Sequence, residues 1–272
     1  MQIPFYKMHG AANDFIVVDD RGLSFPVGNP EWMRSVMARN TGVGSEGILL
    51  IQPDDEADFR MRFFNPDGGE VDMCGNGARC IARLACELGV APPEMQFATQ
   101  AGRVGAQVDG EIVQLTMTPP TDWCLEGSLE IEGQALAYTS VNSGVPHVVI
   151  EVEDVAAIPV QTWGAAVRYH ADFAPQGTNA NFVQVLDAHM LKLRTYERGV
   201  EAETPACGTG IVAAALLSAK RGRVAAPVQV VTVGGYQLAV DFHLTDEGAA
   251  DVTLTGPAAH VFQGSLTYPG AD

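Results

Sequence analysis

The chain carries one short phrase twice. Cys74-Gly75-Asn76-Gly77 and Cys207-Gly208-Thr209-Gly210 lie 207 − 74 = 133 positions apart, and each leads into a run of small residues that reads as a helix. The offset holds without a gap beyond the phrase: Glu70 pairs with Glu203, Thr99 with Thr232 and Gly102 with Gly235. Self-similarity at a fixed offset is the mark of a structural unit used twice. The expected fold is therefore α/β of the α+β type, with two pseudo-symmetric domains. Each is expected to be a mostly antiparallel sheet wrapped around a central helix.

The 272 residues are enough to bury a sizeable core and to form two domains. Pro119-Pro120-Thr121 sets the expected boundary, because two prolines break strand pairing. The first half is then 1–119 and the second 120–256. The tail, 257–272, returns to the first sheet, and the active site is expected in the cleft between the halves. Helices are expected over 30–39, over 77–88 with Gly89 as its stop, and over 210–221 ending at Gly222. Residues 211–217 are apolar or small almost all round, which places that helix inside protein. Residues 11–14 read as a loop, and 15–19, 47–51 and 58–65 as strands. Further strands are expected over 95–98, 103–108 and 112–117 in the first copy, and over 228–233, 237–242 and 251–255 in the second.

Composition excludes several classes of function. A formal net charge of −17 repels nucleic acid and anionic membrane surfaces. No apolar run approaches the roughly 20 residues of a membrane span. The first residues show no basic segment followed by an apolar one, which predicts a cytoplasmic location. The five cysteines, at 74, 80, 86, 124 and 207, are odd in number and read as reduced thiols rather than a disulfide framework. Cys74, Cys80 and Cys86 recur every six residues, which is not zinc-ligand spacing, so no metal is expected. The only lysines are Lys7, Lys192 and Lys220, and none sits in a context that suggests a Schiff base. No cofactor is expected.

A cysteine just before a helix meets the positive end of the helix dipole and unpaired amides, both of which favour the thiolate. Glycines at 75, 77, 208 and 210 let a ligand approach the backbone, and the amides suit a carboxylate. One such cysteine would be ordinary core. Two at matched positions suit a reaction that removes a proton from one face of a carbon and returns it on the other, as a racemase or epimerase does.

The ordered motifs extend the reading. Lys7-Met8-His9-Gly10 runs through Asn13-Asp14-Phe15, and Phe64-Asn65-Pro66-Asp67-Gly68 leads into Met73-Cys74-Gly75-Asn76-Gly77-Ala78-Arg79. In the second half stand Gly177-Thr178-Asn179, Tyr196-Glu197-Arg198-Gly199 and Glu203-Thr204-Pro205-Ala206-Cys207-Gly208-Thr209-Gly210. With these motifs the chain resembles the diaminopimelate epimerase family over nearly its whole length. The resemblance implies a cofactor-independent mechanism with two cysteines, Cys207 as base toward the L,L-isomer and Cys74 as acid. It implies that Gly75, Asn76, Gly208 and Thr209 hold the reacting α-carboxylate through backbone amides. It further implies that Asn65, Asn179 and Arg198 grip the distal end, that Glu197 meets an ammonium group, that Asn13 touches substrate and that His147 stands near the reacting centre. A homodimer is implied as well.

Two positions depart from the family. Gly47 stands where some members carry a substrate-contacting glutamine, and Val145 where many have asparagine. Proline racemase and hydroxyproline epimerase relatives share the two-cysteine architecture, but a cyclic imino acid has no second charged pole. Asn65, Asn179, Glu197 and Arg198 therefore favour diaminopimelate. A phenazine-pathway isomerase of the same fold would lack the cysteine pair. A different class, a thiol protein that senses oxidation through Cys74 and Cys207, would not have its thiols protected by diaminopimelate.

Overall fold

The apolar runs at 15–18 and 48–51 are continuous rather than alternating, and strands of that kind are covered on both faces. The computed structural model describes residues 1–269; residues 270–272, the end of the tail expected to return to the first sheet, lie outside the described residues. In chain order the first repeat is β1 (Gln2–Gly10), β2 (Asn13–Asp19), α1 (Pro30–Met37), β3 (Gly47–Gln52), β4 (Phe59–Phe64), β5 (Glu70–Val71), α2 (Gly75–Glu87), β6 (Glu94–Thr99), β7 (Gly102–Asp109) and β8 (Ile112–Thr116). After β9 (Thr121–Ile131) the same order recurs. The second repeat is β10 (Gln134–Asn142), β11 (Pro146–Glu151), α3 (Val160–Arg168), β12 (Asn179–Asp187), β13 (Met190–Glu197), β14 (Ala202–Thr204), α4 (Gly208–Lys220), β15 (Val228–Thr232), β16 (Gln237–Leu244) and β17 (Ala249–Pro257). β18 (Ala259–Thr267) closes the described chain.

The pairing repeats as closely as the order. β2 runs parallel to β3 as β11 does to β12, and β4 runs parallel to β6 as β13 does to β15. The remaining neighbours within each repeat are antiparallel, as in β3–β4 and β12–β13. By contacts the chain divides into Met1–Leu115 with the segment from Gly256 onward, and Thr116–Thr255. In the first unit β18 is antiparallel to β1; in the second β9 is antiparallel to β10. The strand that follows the last strand of each repeat is thus added to the first strand of the other repeat.

Each unit is layered. In the first, Ile16, Val18, Ile48 and Leu50 meet Met33, Val36 and Met37 of α1 on the outer face. Phe15 and Leu49, on the opposite face, lie against Gly77 of α2. In the second unit Val148, Ile150, Ala180, Phe182 and Tyr196 face Val160 and Val167 of α3. Their alternates, His147, Asn181 and Thr195, share the inner face with α4. That helix lies against β10, β11, β12, β13, β15 and β16, and it is buried from Gly210 to Ala219. α2 lies likewise against β1, β2, β3, β4 and β7.

Local chemistry sets the element ends. Asn29 Oδ1 accepts from the Trp32 amide at 3.0 Å and Pro30 opens α1, a normal helix start. Gly89 and Gly222 follow α2 and α4 with φ of +66° and +68°, the left-handed conformation that closes a helix. Both central helices begin two residues earlier than the sequence suggests. The first amides of a helix need no intrahelical acceptor, so a glycine-rich first turn is tolerated directly after the extended cysteine.

Glu70 and Glu203 explain their own repetition. Glu70 on β5 grips Arg62 on β4 through two bonds of 2.7 Å, and Glu203 on β14 grips Arg194 on β13 at 2.6 and 2.7 Å. The Arg62 guanidinium holds the Glu70 carboxyl below the usual carboxylate range. Such half-exposed pairs add little energy singly, but bidentate geometry fixes position. Each clamps the short strand that delivers the chain to the cysteine four residues on.

The expected loop at 11–14 is instead a two-residue turn. Ala11 and Ala12 have φ of 54° and 68°, and Gly10 pairs directly with Asn13. A type I′ turn needs positive φ at both central residues, which alanine adopts at a cost of about 1–2 kcal/mol each. Ala12→Gly at this exposed position is expected to raise unfolding stability by about 0.5–1 kcal/mol, the released strain less the added chain entropy. An unchanged or lower urea midpoint at constant m would contradict this.

Candidate active site

α2 and α4 start the same way. Cys74 (φ −140°, ψ 122°) and Cys207 (φ −116°, ψ 111°) are extended N-caps whose side chains do not cap their own helices. Their carbonyls accept the first helical bonds, from Ala78 N at 2.8 Å and Ile211 N at 2.9 Å. The amides at 75–77 and 208–210 have no acceptor within the helix, and with the dipole they form an anion cradle. Apart from its chain neighbours and its own helix backbone, no described atom lies within 4 Å of where a Gly75 Cβ would stand.

In the first unit the Asn76 side chain turns inward, its Oδ1 accepting from Arg79 Nη2 at 2.8 Å. Arg79 is fully buried, and its further bonds go to the Pro257 and Gly75 carbonyls at 3.3 and 3.5 Å. Burial lowers its proton affinity, and negative charge at Cys80 and Cys74 would offset this. Burial also pushes the Cys80 thiol up to about 12, so Cys80 stays neutral. A Gly10 Cβ would stand 2.7 Å from Asn76 O, so β1 presses directly on this first turn.

Asn13 opens β2, and its Oδ1 is buried with no hydrogen-bond partner among the described residues. Asn65 closes a turn through its main chain, accepting from Gly68 N at 2.8 Å and donating to Gly69 O at 2.9 Å. Gly47 is explained by packing. A Cβ there would lie 2.3 Å from Phe63 Cε2 and 2.8 Å from Phe64 O, so no longer side chain fits this position.

In the second unit the buried Asn179 donates to Pro146 O at 3.0 Å and accepts from the Arg198 amide at 2.8 Å. It therefore holds the main chain of Arg198, whose Nη1 reaches Gln176 O at 3.1 Å. Thr204 donates to Glu197 Oε2 at 3.0 Å. Val145 lies in the turn between β10 and β11, where its carbonyl accepts from Ser143 N at 3.3 Å. His147 is fully buried, and burial first, then the Arg198 charge, hold its pKa down to about 3. It is a neutral imidazole that does not itself meet solvent.

A continuous polar chain leads from that imidazole to the cysteine. Cys207 Sγ lies 3.6 Å from Thr209 Oγ1, which lies 2.9 Å from His147 Nε2. His147 Nδ1 is 3.1 Å from Asn181 Nδ2, and Asn181 Oδ1 accepts from Thr195 at 2.9 Å. Ser143 Oγ donates to Thr209 O at 2.8 Å. Arg79, Ser143, Asn181 and Thr195 were not singled out by sequence reasoning. Asn181 and Thr195 could have been noticed as polar residues at the inner positions of otherwise apolar strands.

The sequence comparisons bear on this arrangement. The diaminopimelate epimerase family matches residues 5–123 and 139–261. The chain is 43% identical over 275 residues to a diaminopimelate epimerase of Aquifex aeolicus (strain VF5), covering 97% of each chain. It is 40% identical over 280 residues to that of Moorella thermoacetica, covering 96% of this chain and 98% of the relative. The chain belongs to the diaminopimelate epimerase family. Every site residue described above falls within the matched segments, and the unmatched stretch between them lies in the β9–β10 hairpin. Among solved structures, a Bacillus anthracis phenazine biosynthesis protein of the PhzF family superposes with a TM-score of 0.73 at 17% identity, covering 98% of this chain and all of the other. A probable proline racemase from Agrobacterium radiobacter K84 with bound carbonate gives 0.71 at 15%, covering 98% and 93%. These two share the fold.

Two expectations follow for this family member. A Gly210 Cβ would lie 2.5 Å from Asn181 Oδ1, so Gly210→Ala should destabilise by about 1–3 kcal/mol. Gly75→Ala should fold with an unchanged or higher thermal midpoint, alanine being the better helix former by up to about 1 kcal/mol. Equal midpoints for the two variants would refute the packing argument.

His147 sets a pH dependence. Its folded pKa is depressed, so below about 6.5 the unfolded chain binds a proton that the folded chain does not. Its contribution is present above that value and is lost at about 1.4 kcal/mol per pH unit as the pH falls toward 3. Urea unfolding at pH 7, 6 and 5 should show this loss missing in His147→Gln, about 0.7 kcal/mol from pH 7 to 6 and about 1.2 kcal/mol from pH 6 to 5, and parallel slopes would refute it.

Proposed function

We propose that this chain interconverts L,L- and meso-diaminopimelate without a cofactor. Membership of the diaminopimelate epimerase family, together with two cysteine-led helix ends, carries the reading. Toward the meso isomer, the Cys207 thiolate takes the α-hydrogen as a proton and becomes a thiol. The electron pair left on the α-carbon spreads into the α-carboxylate, where the amides of Gly75, Asn76, Gly208 and Thr209 stabilise it. The Cys74 thiol returns a proton to the opposite face and becomes the thiolate. The roles reverse in the other direction, so no external acid or oxidant is consumed.

Arg198 binds the distal carboxylate and Glu197 an ammonium group, with Asn65 beside them. Asn179 acts chiefly by holding the Arg198 main chain. The unpaired, buried Asn13 Oδ1 suits an N–H donor from the substrate. Two charged groups at 197 and 198 favour a substrate with two amino-acid poles over a cyclic imino acid. The proposed setting is a cytoplasmic homodimer; the half-exposed Val261 and Phe262 on β18 support a contact there.

Proton NMR of L,L-diaminopimelate in D2O with the reduced protein tests the reading. Loss of the α-proton signal with growth of the meso isomer is expected. Cys74→Ala and Cys207→Ala should each lower turnover by at least about 10²–10⁴-fold, the usual contribution of a positioned acid or base. Undiminished growth of the meso isomer in either variant, or none in the wild type, would reject it.

A further inference from the structure

Asn181 fixes the direction of a hydrogen-bond chain that ends at Cys207. Its Nδ2 lies 2.9 Å from Val148 O, which can only accept, so the amide nitrogen must face that carbonyl. Thr195 Oγ1, 2.9 Å from Asn181 Oδ1, supplies the matching donor on the other side. The second Nδ2 hydrogen then points at His147 Nδ1, 3.1 Å away, and that ring nitrogen must accept. A neutral imidazole accepting at Nδ1 carries its proton on Nε2. Nε2–H therefore donates to Thr209 Oγ1 at 2.9 Å. The Thr209 hydroxyl, with that acceptor position filled, turns its own hydrogen to its other neighbour, Cys207 Sγ at 3.6 Å.

We infer that Asn181 and Thr195 are positioning residues that set the His147 tautomer and so make the Thr209 hydroxyl a dedicated hydrogen-bond donor to the Cys207 thiolate. No proton is transferred along the chain; each link keeps its own hydrogen and only its direction matters. The histidine is accordingly not the base that deprotonates Cys207, since its one unprotonated nitrogen faces Asn181. The opposite half lacks the device. Phe15 holds the register position of His147, pairing with Gly47 as His147 does with Asn179, and Asn76 stands where the repeat has Thr209. Cys74 has the buried Arg79 guanidinium instead.

This inference rests on the reading that Cys207 works as a thiolate, but its test needs no turnover. In a Cys74→Ala background, iodoacetamide alkylation of Cys207 at pH 7 would be followed by peptide mass spectrometry. A hydrogen bond to a charged acceptor contributes enough that Thr209→Val should slow the reaction roughly ten- to hundredfold. Thr209→Ser should restore it, because the hydroxyl is what matters. Asn181→Asp places an acceptor opposite Nδ1, moves the ring proton there, and should slow alkylation as Thr209→Val does, with no further loss in the double variant. Nitrogen-15 NMR of His147 in the wild type should show a protonated Nε2 and a bare Nδ1. A protonated Nδ1, or unchanged alkylation in Thr209→Val, would overturn the inference. Failure of diaminopimelate turnover alone would leave these readouts intact and count only against the proposed substrate.

Discussion

The enclosure of a helix by its own sheet is the constraint on which the rest depends. α2 and α4 are each packed against several strands; α4 is built almost wholly from small and apolar residues, whereas α2 also buries Asn76 and Arg79, and each helix presents little but its ends. The polar end is the amino terminus, where a helix has unpaired amides and partial positive charge. Placing a cysteine at the N-cap puts the one reactive group where the enclosed helix is chemically accessible. The glycines follow from the same crowding. Gly77 passes Leu49 and Phe15, and Gly210 passes Asn181, at separations that admit no ordinary side chain without adjustment.

Duplication supplied the frame twice, but each copy is equipped differently beneath its cysteine. The first has a buried guanidinium that, among the described residues, bonds to carbonyl and amide oxygens and to no carboxylate. The second has an uncharged chain of hydroxyl, imidazole and amide, every link within hydrogen-bond reach of the next. A full charge acts over several ångströms, whereas a hydroxyl acts on the one atom it touches. Unlike surroundings are what a two-thiol reaction requires, because at any moment one sulfur must be protonated and the other not. A perfectly symmetric duplicate would leave that difference to the substrate alone.

The residue pattern revealed what depends on repetition and on period. The gap-free offset around Cys74 and Cys207 located both central helices, and the all-round apolar run at 211–217 showed that one of them is enclosed. The middle of the second half was harder. The offset slips there, from 133 at the cysteines to 147 − 15 = 132 in strand register and 160 − 30 = 130 at the outer helices. α3 also lacks the Asn-Pro start that marks α1, beginning after Pro159 with no side-chain cap. Nothing in Ala11-Ala12 signals a turn with positive φ; tertiary packing imposes it on a fully buried Ala11. Asn181 and Thr195 gain meaning only when β12 and β13 are set in register and fall beside His147.

Gly47 shows how such a departure should be weighed. Where a side chain would stand, this chain has the edge of the Phe63 ring, and Phe15 packs edge-on to the same ring at 5.9 Å. The glycine is therefore fixed by the aromatic packing that supports β3 and β4, and its side-chain contact cannot be recovered by a single substitution. Val145 likewise offers only its main chain to the β10–β11 turn among the hydrogen bonds described. With neither position contributing a polar side chain, the proposed recognition of a distal pole rests on Asn65, Glu197 and Arg198. The Arg198 main chain is held by Asn179, and Glu197 accepts from Thr204. Both charged residues thus sit at the end of β13, the strand whose Arg194–Glu203 clamp also fixes the approach to Cys207. In the second unit, the placement of Glu197 and Arg198 and that of Cys207 are consequences of one strand's register, so a shift in that register would disturb both together.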